Sequence, residues 1–211
     1  MPLCAAIGMH SNEGLKTLLE IGVPRGLKVN MRIEFNRATA LNVAAYMGDP
    51  QQVQMLIQAG ADRTAANDHG SFPLHDAASN PAMTPACLDI LSEGEGVDVN
   101  AICTPRNCKW WLLDKIMEAQ WKLKIDRSDF VESFANTRGS TALHEAAYMG
   151  HLSTVRWLLD KGASGSLTIR NKLNLTPMGC AELSNHTECA KVILAAEREA
   201  AGFGREPSIV L

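Results

Sequence analysis

The chain repeats itself, and that repetition constrains its fold more than any other feature. The stretch Gly139-Ser140-Thr141-Ala142-Leu143-His144-Glu145-Ala146-Ala147-Tyr148-Met149-Gly150-His151, continued to Ala163, holds two apolar segments separated by one glycine, Gly150. Ala146 and Ala147 mark the first segment, and Val155, Leu158 and Leu159 the second, at helical spacing. Helices of two or three turns are not stable alone in water, so each must bury its apolar face on a neighbouring copy. The copies lie in register. A shift of 102 positions lays Leu41, Ala44, Ala45, Tyr46, Met47 and Gly48 on Leu143 to Gly150 without a gap. A shift of 140 does the same for Leu3, Ala6, Leu15, Leu18 and Leu19, and a shift of 35 the other way reaches Pro177, Met178, Ala181, Ile193 and Leu194. Phe72-Pro73-Leu74-His75-Asp76-Ala77-Ala78 begins a further copy, whose second helix, around Cys87, Ile90 and Leu91, arrives one residue late.

Taken together, Thr141-Ala142-Leu143-His144-Glu145-Ala146-Ala147, Gly150-His151, Leu158-Leu159 and Gly162-Ala163 resemble the ankyrin repeat, whose period is about 33 residues. The resemblance implies an all-α solenoid of stacked helix-turn-helix units with short hairpin fingers. It places repeats near 1–30, 36–66, 69–101, 138–170 and 173–201 in a single domain over residues 1–201, with 202–211 as a C-terminal tail. Leu74 and Leu143 are about two periods apart, so a degenerate unit is expected over 102–135, its signature lost. Three of the four tryptophans gather there. Trp110, Leu113, Met117 and Trp121 fall at helical spacing, and Leu112, Ile116 and Leu123 widen the stripe. The simplest expectation is a larger helix that fills one layer of the stack. The alternative is that Trp111 or Trp121 projects to anchor a partner, with Lys109, Lys115, Lys122 and Lys124 as a basic rim suited to an acidic target.

Local signals refine the frame. Asp49-Pro50 and Thr84-Pro85 read as helix starts, the first residue capping free amides and the proline losing no useful N–H. Gly70 and Gly139 suit fingers that turn back through positive φ. Arg37 stands where that glycine is expected, and His10 stands at the glycine between the first two helices, so both predict a strained turn. His75 and His144 look catalytic but occupy a signature position. The resemblance implies that this histidine bonds back to the threonine of its own signature and across to the next repeat. His144 has Thr141 in place, whereas His75 has Phe72.

Composition excludes several function classes. The formal net charge of -3 argues against non-specific nucleic-acid binding. No apolar run approaches the roughly 20 residues needed to span a bilayer, and no signal-peptide order opens the chain, which leads to an expected intracellular location, cytoplasmic or nuclear. Cys4, Cys87, Cys180 and Cys189 sit where a small buried side chain serves. Cys103 and Cys108 lack the second close pair that a zinc site needs, so no metal and no cofactor is expected. No nucleophile elbow or phosphate-cradling loop is present, and the chain reads as no enzyme. The remaining role is recognition of a protein partner through the concave face, by a monomer acting as scaffold, adaptor or inhibitor. Family practice maps the contacts onto Tyr46, Met47, Ser79, Tyr148 and Met149 on the helices and Asp68, His69 and Arg138 on the fingers. A regulatory part of an enzyme complex, or a metal-binding protein that uses Cys103 and Cys108, is the alternative.

Overall fold

The computed structural model describes residues 2–123 and 137–202. Five antiparallel helix pairs stack in chain order: α1 (Pro2–Gly8) with α2 (Asn12–Gly22), α3 (Ala40–Met47) with α4 (Pro50–Gln58), α5 (Pro73–Ala78) with α6 (Pro85–Ser92), α8 (Ala142–Met149) with α9 (Leu152–Asp160), and α10 (Pro177–Leu183) with α11 (Thr187–Ala200). A further helix, α7 (Cys108–Lys122), stands outside these pairs. No strand occurs among the described residues.

Each unit forms for the reasons its residues give. Thr39, Thr84, Thr176 and Asp49 cap their helices through the side-chain oxygen, satisfying N–H groups that have no intrahelical partner. Leu41, Ala44, Leu56, Leu143, Ala146, Val155, Leu158 and Ile193 are fully buried and form one continuous core along the stack. The strained turns predicted at two non-glycine positions are present. His10 and Arg37 adopt φ of 52° and 55°, the left-handed region, and the turn is kept in both.

The fingers are hairpin turns closed by backbone bonds, among them Ile33 N–H to the Ala38 carbonyl, Asn67 N–H to Ser71 and Asn171 N–H to Leu175, each 2.9 Å. In the remaining finger the same bond runs from Cys103 N–H to Ser140, at 2.7 Å, and Gly139 N–H returns to the Cys103 carbonyl at 2.9 Å. The chain therefore leaves the tip of this finger after Cys103 and is back in it at Gly139.

The expected degenerate unit at 102–135 lies partly outside the described residues. Among the described residues, α5 packs directly on α8 and α6 on α9, so the third signature unit and the one at 138–170 touch each other. Side chains seal the joint: the His151 ring bonds the Ala78 carbonyl through Nδ1 at 2.9 Å, and Trp157 Nε1–H donates to Asp89 at 3.1 Å. An insertion about one period long keeps the later copies at the spacing that a degenerate repeat gives.

The histidine network follows the signature. His144 Nδ1 accepts from Thr141 N–H at 3.1 Å, which leaves Nε2–H to donate to the carbonyls of Ile169 and Leu175 at 3.1 and 3.2 Å. His75 reaches the Ala101 carbonyl at 3.0 Å through Nε2, while its Nδ1 is buried with no hydrogen-bond partner and Phe72 offers no cap. Phe72→Thr supplies the missing hydroxyl. It is expected to be about 1 kcal/mol more stable in urea denaturation than Phe72→Ala, which removes the ring and adds nothing. Equal stabilities would show that the hydroxyl is not what this position lacks.

Candidate functional site

The first helices of the pairs pack on one another along the stack, and residues 103–110 reach the neighbouring fingertips. The sequence Asn107-Cys108-Lys109-Trp110 starts α7 with Asn107 Oδ1 accepting from Trp110 N–H at 3.0 Å. The same asparagine donates from Nδ2 to Asp68 at 2.6 Å, and Arg106 N–H donates to the Asp68 carbonyl at 2.9 Å. Trp110 is thereby lowered onto the fingertips. Its ring lies 3.8 Å from that of His69 and edge-on to Phe35 at 5.5 Å between centroids, and only 4% of it is exposed. Cys103 is buried, and its thiol donates to the His69 carbonyl at 3.2 Å. Cys108 is exposed, so the two cysteines face different surroundings.

Below the insertion lies a cavity of about 360 Å³. Five of the eight residues expected to touch a partner line it together: Tyr46 and Met149 from the helices, Ser79 after α5, and His69 and Arg138 from the fingers. Tyr46 is 55% exposed and Met149 37%, so neither serves the core. Met47 and Tyr148 stand outside the cavity, Met47 exposed and Tyr148 half-buried. Asp68 is held by the insertion, and Arg138 is buried and paired with Glu118 at 3.3 Å. The fingertip half of the expected surface is thus already engaged within the chain.

Two residues that the repeat pattern did not mark as functional face the same cavity, Asp76 and Glu145. They hold the position after the signature histidine in adjacent units. Asp76 accepts from Ser71 Oγ and Asn42 Nδ2, each at 2.7 Å, and burial still pushes its carboxyl up to about 6. Glu145 is 5% exposed, and its Oε1 has no hydrogen-bond partner. Burial first, then the charge of Asp76, pushes its carboxyl up to about 8. The signal available in the sequence was the departure of these two acids from the other copies, which carry Val43 and Cys180 there. Burial pushes His75 and His144 down to about 4, so both rings are neutral near pH 7 and serve as donors and acceptors in the frame.

On α7, Trp111, Leu112, Ile116 and Leu123 are exposed, whereas the side chain of Trp121 and the residues 124–136 lie outside what the structure describes. Arg205 to Leu211 of the expected tail lie outside it as well. Among the described residues no helix is long and apolar enough to cross a membrane, and no group of three His, Cys, Asp or Glu side chains is placed to hold a metal ion.

Comparison with known proteins finds ankyrin repeats, in matches that cover α7 as well as paired units. A profile described as ankyrin repeats in three copies matches residues 110–201, and one described as an ankyrin repeat matches 36–68. The chain is 26% identical over 168 residues to the ankyrin repeat and KH domain-containing protein mask-1 of Caenorhabditis elegans, covering 80% of this chain and 6% of that protein. It is 28% identical over 163 residues to the human transient receptor potential cation channel subfamily A member 1, covering 77% of this chain and 12% of the channel. The E3 ubiquitin-protein ligase KEG of Arabidopsis thaliana is 24% identical, over 92% of this chain and 14% of the ligase. The chain spans a small fraction of each of these relatives.

Proposed function

Because the chain belongs to the ankyrin-repeat family, we propose that it binds a protein partner through the concave face between α3 and α8, by surface complementarity and without catalysis. The observation that carries this reading is the pairing of Tyr46 and Met149 at the mouth of one cavity. A stack of repeats does not need large apolar side chains in water at these positions. Tyrosine supplies a rigid amphipathic contact and methionine an adaptable one, and both are enriched at interfaces. Scaffold, adaptor and inhibitor share this mechanism.

The inserted segment restricts the surface to the helix side. With Asp68, His69 and Arg138 engaged by residues 103–118, a partner reads the cavity mouth and the edge of the insertion rather than the bare fingertips. Alanine at both Tyr46 and Met149 is expected to weaken partner binding by at least about 10-fold while moving the melting temperature by less than about 3 °C, since neither residue is in the core. Affinity capture of the wild-type and doubly substituted chains, read by quantitative mass spectrometry, checks this. Identical recovery of every captured protein by both would overturn it.

A further inference from the structure

We propose that the cavity under the insertion receives a basic side chain, arginine or lysine, of a protein partner, with Glu145 and Asp76 as its acceptors. The inference rests on the concave-face reading above and names what that face recognises.

The argument starts from an unused acceptor. Glu145 projects from α8 into the cavity, is 5% exposed, and leaves Oε1 without a donor. A buried carboxyl is ordinarily supplied with donors, because desolvation without compensation is costly. For Asp76 the chain supplies them: Asn42 of α3 and Ser71 of the finger before α5 both donate to it. Nothing comparable serves Glu145. The Arg138 guanidinium, on the finger side of the same cavity, bonds Glu118 through Nη1 at 3.3 Å. The electrostatics agree. Burial, then the Asp76 charge, raises the Glu145 carboxyl, and burial raises that of Asp76.

What fits is set by the walls. An apolar ligand leaves Glu145 without a donor, and an anion meets Asp76. A metal ion lacks ligands, because the described residues place no third donor of the usual kind near the pair. A guanidinium or an ammonium group on an alkyl stem meets both needs: its N–H groups donate to the two carboxyls, and its stem passes between Tyr46 and Met149 at the mouth. The acid pair is thus the polar floor of a socket whose rim is amphipathic.

The test uses the full chain and three small probes, Nα-acetyl-arginine amide, Nα-acetyl-lysine amide and the uncharged Nα-acetyl-citrulline amide, titrated by NMR at pH 8 and low ionic strength. At least one cationic probe is expected to bind saturably with a dissociation constant of about 1 mM, at least about 10-fold tighter than the citrulline probe. Glu145→Gln keeps the shape and removes the charge. It should abolish that preference with the rest of the spectrum unchanged, and Asp76→Asn should weaken binding to a smaller degree. The ratio of arginine to lysine affinity identifies the side chain. Equal binding of charged and uncharged probes, or full cation binding by Glu145→Gln, overturns the inference. Partner capture separates this failure from failure of the broader reading. If alanine at Tyr46 and Met149 loses a partner that Glu145→Gln retains, the concave face is the binding surface and the socket is not. If the arginine or lysine probe binds through Glu145 while no partner depends on Tyr46 or Met149, the socket stands and the broader reading falls.

Discussion

Gly70→Ala is expected to destabilise the protein by about 3 kcal/mol or more, the largest effect of any single methyl group added to the fingers. Two causes combine. Gly70 sits at φ 86°, where a side chain is strained, and a Cβ built there falls on the backbone carbonyl and amide of Thr104, the first residue of the insertion. Backbone cannot swing aside as a flexible side chain can. Only the first cause exists at Gly139, which has the same conformation at φ 74° with nothing closer than 3.4 Å to such a Cβ. Gly139→Ala is therefore expected to cost about 1 kcal/mol. Replacing residues 104–138 by Asp-His, the pair that follows Asn67, removes Thr104. In that shortened chain the cost of Gly70→Ala should fall to that of Gly139→Ala. The shortened chain should itself fold, with its helical circular dichroism kept and its melting temperature lowered by less than about 10 °C. Were residues 102–135 a layer of the stack, their removal would break the core between the third and fourth units and unfold the chain.

That segment marks the limit of what the repeat pattern can tell. The stack was legible because each signature residue fixes something local: Thr39 and Thr141 set a cap, Gly48 and Gly150 take left-handed backbone, and Leu56 and Leu158 fill one core. Spacing carries no such local information. A segment one period long keeps the register whether it is stacked or looped out, and the tryptophan stripe of α7 fits either arrangement. What distinguishes the two is the bond from Cys103 to Ser140, a pairing between residues far apart in sequence. The candidate site was half legible for the same reason. Tyr46 and Met149 were marked by their places in the repeat. Asp76 and Glu145 were not, because their meaning lies in facing each other across the boundary between two units. The functional reading changes accordingly. Asp68, His69 and Arg138 are engaged by the insertion, and the proposed recognition surface is that of the acids and the exposed side chains beside them.

The stability of the protein is expected to peak between about pH 6.5 and 7 and to fall by about 1 kcal/mol by pH 8. Below the peak, His75 and His144 are held down to about 4 by burial, so the unfolded chain binds protons that the native chain does not, and stability rises with pH. His69 and His151, lowered by burial, act in the same direction. Asp76 and Glu145 oppose them. Both are raised, to about 6 and about 8, so the native chain keeps protons that the unfolded one has lost, and their contribution falls as pH rises through those values. Asp76 and the histidines have largely titrated by about pH 7. From there to pH 8 the descent belongs to Glu145, and it should level off above. Glu145→Gln, which mimics the protonated acid and cannot ionise, should be as stable as the wild type at pH 6 and more stable at pH 8, where its urea unfolding curve should show no descent. A parallel descent in the variant would assign the effect elsewhere and remove the electrostatic support for an empty cation socket. The expected outcome has a functional sense: near neutral pH the chain keeps an acid that weakens its own fold, as residues shaped for a ligand commonly do. A cation in the socket would hold Glu145 ionised by pairing with it. Saturating Nα-acetyl-arginine amide should then flatten the wild-type profile between pH 6.5 and 8 while leaving that of Glu145→Gln where it was.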